Sequence, residues 1–282
     1  IKEGDYSFKV RTVAGNDNQA TYGKSSEYIE SGSTMVDATV IQQIVAGGGV
    51  RDMNKKTPFS RDTICRMFSM TKPITSAAVW SLIQDGKLDL LDDVANYIPT
   101  FSEPMVCSGA DIIPSQKPVT IRDLLNMTSG LSYGGTDNES HLKVSELIKD
   151  INDSLSSSSP LTTMQIAERA GRIPLSFVPG TSFDYGISAD ILGAVVEKVS
   201  GMKYGEYLRT RFFEPMGMTE TGFYVDANKS SRIAEEYQHT QNGSLAVYAL
   251  PSLGISYRSV KPPAFESGGA GLLSTIDDYM KF

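Results

Sequence analysis

Apolar and polar positions follow several different rhythms along this chain, and each rhythm marks an element. Ile74, Ala77, Ala78, Val79, Trp80, Leu82 and Ile83 leave almost no polar face, which predicts a helix over 74–85 buried on all sides. Ser69 ahead of that run reads as an N-cap, Pro73 is tolerated in a first turn, and Gly86 supplies the stop. A second helix starts at Val119–Leu125 with Thr120 as cap and ends at Ser129-Gly130. Met164–Ala170, Ala189–Val199 (closed by Ser200-Gly201) and Tyr204–Phe213 read as further helices, and Pro179-Gly180-Thr181-Ser182 is a turn ahead of Tyr185. A last helix begins at Ser274 or Thr275, with Asp277 and Asp278 at its positive end. Residues 134–160 are polar and serine-rich, the pattern of a mobile surface insertion. Residues 1–60, with pieces such as 39–47, read as edge strands and loops, and 221–265 as a return to sheet.

Composition narrows the class. A chain of 282 residues with 40% apolar content buries a sizeable core. Its net charge of −7, without a basic stripe, argues against nucleic acid as partner. No apolar run reaches the ~18 residues a membrane span needs. The first residues lack a positive region followed by an apolar stretch, so no secretory leader is visible, which slightly favours the cytoplasm while leaving location open. Two cysteines, Cys65 and Cys107, make no disulfide framework, and two histidines are few for a metal site. A Ser-His-Asp enzyme would have to use His141 or His239, both in polar stretches that read as loops. The nearest approach to a nucleophile elbow, Gly186-Ile187-Ser188-Ala189-Asp190, misses the pattern.

Ser69-Met70-Thr71-Lys72 offers different chemistry. Positions i and i+3 of a helix share a face, so a lysine amine reaches the serine hydroxyl. An amine drawn out of water accepts a proton more readily near neutral pH, and free N–H groups at a helix start stabilise an oxyanion. Nucleophile, base and part of an oxyanion hole then come from one turn. A bare Ser-x-x-Lys arises by chance: Ser200-Gly201-Met202-Lys203 matches too, at a helix end where both are ordinary capping residues.

Longer segments are more specific. FSMTKPITSAAVWSLIQDGKLDLLDDVANYIPTF, VTIRDLLNMTSGLSYG, PGTSFDYGISADILGAVVEKVSG, FFEPMGMTETGFYV and GGAGLLSTIDDYMKF occur in this order. Together they resemble the serine β-lactamase-related family, which includes class C β-lactamases, D-alanyl-D-alanine carboxypeptidases and family VIII carboxylesterases. The resemblance covers residues 58–282. It implies an α+β, β-lactamase/transpeptidase-like fold, an antiparallel sheet flanked by helices with an inserted helical region. Residues 1–90 and 230–282 would form the sheet-containing region and 91–229 the helical one. It also implies that Ser69 is the acylated nucleophile, Lys72 its proton partner and Tyr185 a general base and acid. Tyr133, in the loop after Ser-Gly-Leu, would line the acyl pocket. No metal or organic cofactor is implied.

Departures from the family pattern shape the expected substrate. Class C β-lactamases carry Tyr-x-Asn where this chain has Tyr185-Gly186-Ile187, so an amide-binding asparagine is replaced by an apolar residue. That substitution places the chain nearest the esterase branch, acting on small esters. A β-lactamase or D-alanyl-D-alanine carboxypeptidase is the alternative, and a catalytically silent penicillin-binding or structural relative the alternative of another class. The family's third motif, of Lys-Thr-Gly, His-x-Gly or Trp-Gly-Gly type, is absent; Glu220-Thr221-Gly222 and Gly268-Gly269-Ala270-Gly271 belong to other elements. The expectation is that the natural chain runs on past Phe282 and carries it. The sequence leaves oligomeric state open.

Overall fold

The structure, a computed structural model, describes residues 49–248, 250–255 and 260–282. The piece 39–47, expected to be extended, lies outside them. Compactness divides the chain after Arg61. In the first unit, β1 (Val50–Asp52) pairs antiparallel with β2 (Thr57–Pro58). Asp52 closes the turn by accepting the N–H groups of Asn54 and Lys55 at 3.0 Å.

In the second unit, residues 62–282, the chain order is β3 (Cys65–Arg66), α1 (Thr71–Gln84), β4 (Met105–Ser108), β5 (Asp111–Pro114) and α2 (Ile121–Leu125). Then come α3 (Glu139–Ser154), α4 (Thr163–Ala170), α5 (Ser188–Ser200), α6 (Tyr204–Leu208), β6 (Tyr237–His239), β7 (Leu245–Val247), β8 (Leu273–Ser274) and α7 (Ile276–Tyr279). Among the described residues the strands form antiparallel pairs, β3 with β8, β4 with β5, and β6 with β7. The content is α+β, as expected. Pairing of β3 with β8 ties the start of the site-bearing helix to the far end of the chain, and the Met67 N–H extends it by donating to Leu272 O at 2.8 Å.

Two caps expected from the sequence, Thr120 and Thr275, are in place. Thr120 accepts from the Asp123 N–H while Asp123 reaches back to the Thr120 N–H, a reciprocal capping box. Thr162 and Gln165 do the same for α4, and Thr275 caps α7 through Asp278 N–H.

Three expectations change. The helix buried on all sides is α5, not α1: Ser188 through Val196 are all buried, and α1, α2, α4 and α6 pack around them. Gly193 permits this, because a Cβ there would stand 3.3 Å from the Tyr204 ring. Helix α1 keeps one open face along Pro73, Trp80 and Gln84, with Trp80 51% exposed. Hydrophobic content alone does not say which of two apolar helices lies central. The serine-rich stretch 134–160 contains the 16-residue α3, which buries Ser140, Val144, Leu147 and Ile151. Those positions are spaced by four, three and four residues, so a helical period runs beneath the polar surface. Asn138 caps it through the His141 N–H. The 221–265 stretch is largely irregular among its described residues, with one hairpin, β6–β7, and a 3₁₀ turn, Ala227–Arg232.

Candidate active site

Ser69 sits in a 3₁₀ turn, Phe68–Met70, directly ahead of α1. Phe68 has φ of +44°, left-handed backbone unusual for a bulky residue. Such strain persists only where the surroundings fix it; here the β3–β8 pairing and the Met67–Leu272 bond hold one side and α1 the other. The expected N-cap role fails. The cap position is Met70, with no side-chain cap, because the Ser69 hydroxyl is engaged elsewhere. It accepts from Lys72 Nζ at 3.2 Å and from the Tyr185 hydroxyl at 2.7 Å.

Lys72 has three hydrogen-bond partners, matching the three donors of an ammonium. Besides Ser69 Oγ it donates to Tyr133 Oη at 3.0 Å and to the Gly269 carbonyl at 2.8 Å. Its nitrogen also stands 4.6 Å from the Tyr185 ring centre and 5.3 Å from that of Tyr133, within cation–π range. The two rings meet edge to face at 5.5 Å. Electrostatics separates the two phenols. Burial works against ionising Tyr185, but the Lys72 ammonium and the Ser69 hydroxyl outweigh it, leaving its pKa below the ordinary tyrosine value. Tyr133 is pushed up, first by burial and then by the charge of Asp190. Diverging environments of this kind give paired groups different proton roles.

Glycines let the elements meet this closely. A Cβ on Gly186, next to Tyr185, would lie 2.0 Å from Leu131 O and within 2.5 Å of Ser132 backbone atoms. A Cβ on Gly268 would lie 2.2 Å from Ala189 O. Behind them stand buried polar pairs: Ser129 Oγ with Ser188 Oγ at 2.8 Å, and Thr75 Oγ1 with Tyr204 Oη at 2.6 Å. Asp184, just before Tyr185, is paired with His141 at 2.9 Å. That contact brings α3 to the site loop.

Ser69, Lys72, Tyr185 and Tyr133, all singled out in the sequence, are brought together. Ile187 is placed differently. It is 5% exposed and belongs to the core, where it lines with Tyr133, Ile148, Ile151, Ile166, Leu253 and Phe265 a cavity of about 20 Å³. In the second Ser-x-x-Lys, Ser200 Oγ accepts the Met202 N–H at 3.2 Å and Gly201 ends α5 at φ +71°. Thr221 is occupied by Ser274 at 2.8 Å and Asp278 at 3.1 Å. Sequence reasoning passed over Gly269, Ser267 and Asp190. The signals were present as a glycine cluster at 268–271 and a lone acid inside an apolar helix.

Residues 29–282 match the family model described as beta-lactamase. An uncharacterized protein of Mycobacterium tuberculosis is 34% identical over 241 residues, covering 83% of this chain and 56% of its own. Esterase EstB of Burkholderia gladioli is 31% identical over 253 residues, 83% of this chain and 59% of the relative. The present chain thus spans a little over half the length of these relatives. Among solved structures, EstCE1, described as a hydrolase with promiscuous acyltransferase activity, superposes with a TM-score of 0.67 at 29% identity, over 83% of this chain and 61% of its own. The fold is that of the β-lactamase/transpeptidase group.

Proposed function

The chain belongs to the β-lactamase family, and on that premise we propose that it is a serine hydrolase acting on small esters through an acyl-enzyme. The observation that carries this reading is the Tyr185–Ser69–Lys72 cluster, with 2.7 Å and 3.2 Å separations at one hydroxyl. In the proposed cycle Ser69 Oγ attacks the ester carbonyl while its proton passes to the Tyr185 oxygen, whose ionised form the Lys72 ammonium favours. The Ser69 N–H, at the start of α1, donates to the developing oxyanion. Collapse releases the alcohol, which takes the proton from Tyr185. Water then attacks the acyl-Ser69 with the same groups returning the proton to serine. Tyr133 Oη, held near neutral by its raised pKa, orients Lys72 and borders the acyl side.

Esters are preferred over β-lactams in this proposal because Ile187 offers no amide acceptor or donor and is itself buried. Its place in the wall behind Tyr133 makes it a packing residue of the acyl pocket. EstB and EstCE1, both named for ester or acyl chemistry, support the same class. Steady-state hydrolysis of p-nitrophenyl acetate alongside nitrocefin tests the proposal, with fluorophosphonate labelling and peptide mapping. Labelling at Ser69 with ester turnover is the expected result. Efficient nitrocefin turnover without ester turnover would shift the assignment to a β-lactamase, and no labelling at all to a silent relative.

A further inference from the structure

One buried ionisable group takes no part in the cycle above. Asp190 lies one helical turn past Ile187 in α5, with 6% of its surface exposed, among alanine, isoleucine and leucine neighbours. A carboxyl in such a place requires partners. Its Oδ1 accepts the Ser267 hydroxyl at 2.6 Å and the Gly269 N–H at 3.0 Å. Ser267 Oγ in turn accepts the Ala270 N–H at 3.0 Å. The residue fixed through its N–H, Gly269, is the one whose carbonyl receives Lys72 at 2.8 Å. Its fit is close: a Cβ on Gly269 would stand 2.8 Å from both Asp190 Oδ2 and Tyr133 Oη.

We infer that Asp190 is a positioning residue for Lys72, anchoring the Ser267–Gly269 turn so that its carbonyl faces the amine, and supplying the negative charge that balances the ammonium. The ionisable groups around it are Lys72 on α1, Tyr133 and Tyr185 on the neighbouring loops, and Tyr204 on α6. Lys72 is the cation among them. Burial raises the Asp190 carboxyl above the usual range, opposed by the Ser267 and Gly269 hydrogen bonds and by Lys72. One helical turn separates Asp190 from the place where class C relatives carry a polar asparagine. The inference rests on the hydrolase reading of the same site.

The test uses the full chain, its Asp190→Asn and Ser267→Ala variants, and the rate of fluorophosphonate labelling of Ser69 between about pH 5 and 10. Asparagine keeps the size and an acceptor oxygen but removes the charge. The Asp190 charge opposes ionisation of Tyr185, so with that charge gone the phenol ionises at lower pH and the acidic limb of the labelling rate moves down. We expect Asp190→Asn to melt close to wild type, to label about tenfold more slowly or worse, and to show that displaced limb. Ser267→Ala should slow labelling less and leave the limb in place. Wild-type protein that fails to label sinks the hydrolase reading itself. Wild-type protein that labels, with Asp190→Asn unchanged or slower without a displaced limb, overturns the role of Asp190. Should Asp190→Asn not fold, Ser267→Ala decides: an unaltered labelling rate overturns the inference, and a fall of about threefold or more upholds it.

Discussion

Replacing Gly186 with alanine separates the geometry of the site from its chemistry, because no reacting group is touched. The new Cβ would lie 2.0 Å from Leu131 O and 2.4 Å from Ser132 C. Both are backbone atoms that no rotamer change removes. Ordinary contact begins near 3.4 Å, so the Tyr185 loop must retreat by roughly 1.4 Å. Tyr185 Oη is 2.7 Å from Ser69 Oγ, and a retreat of that size carries it beyond hydrogen-bond range. Misplacement on this scale costs about 10²-fold in rate, roughly 2.7 kcal/mol of transition-state stabilisation. Overpacking adds ~1–3 kcal/mol of lost stability. The assay is kcat/KM for p-nitrophenyl acetate together with a thermal melt. Gly201→Ala serves as control: its Cβ meets nothing within 4 Å, but its φ is +71°. That variant should lose about 1 kcal/mol of stability and keep its activity. If Gly186→Ala retained kcat/KM within about threefold of wild type, the dependence of Tyr185 on this close approach would be refuted.

Other outcomes follow from the same geometry. Ser69→Ala should abolish ester turnover with the fold intact, whereas Ser200→Ala leaves it nearly unchanged; the reverse pattern would move the nucleophile. Tyr185→Phe should lower kcat/KM by about 10²–10⁴-fold and flatten the limb of the pH profile lying below the ordinary tyrosine pKa; a profile identical to wild type would exclude Tyr185 as the titrating group. Leu147→Ala should cost ~2–5 kcal/mol by urea unfolding, because α3 is part of the core; a solvated loop would register under about 0.5. Burial raises the Glu266 carboxyl above its reference value of 4.5, so the folded state holds that proton longer than the unfolded one. Stability therefore falls as pH rises from about 4.5 through the raised value, and Glu266→Gln should lessen the fall; an unchanged slope in denaturant unfolding would disprove it.

What the sequence made legible was the part written in local spacing. Ser69 and Lys72 are one turn apart, Thr120 sits beside its capping partner, and Gly201 closes its own helix. Features that depend on distant packing were not legible. Nothing near Trp80 reveals that its helix keeps an open face, since that depends on which helix the others surround. The period in α3 was hidden by the serines and charges that clothe it. Asp190, Ser267 and Gly269 became part of the site only once α5 and the 267–269 turn met beside Lys72. The Tyr185 position was recognisable from its motif, but the demand that its neighbour be glycine was not, since the obstructing atoms belong to residues 131 and 132.

The bond between Lys72 and the Gly269 carbonyl spans 197 positions of sequence, and that span has a meaning in time. A ribosome adding about 5–20 residues per second needs roughly 10–40 seconds to pass from one partner to the other. Throughout that interval the serine and its amine have emerged without the turn that fixes them. On the proposed reading a nascent chain carries an unarmed nucleophile, and the capacity to form an acyl adduct would arrive only when β8 docks beside β3. Recovery of fluorophosphonate labelling during refolding should accordingly be among the last signals to return, trailing the helical circular-dichroism signal.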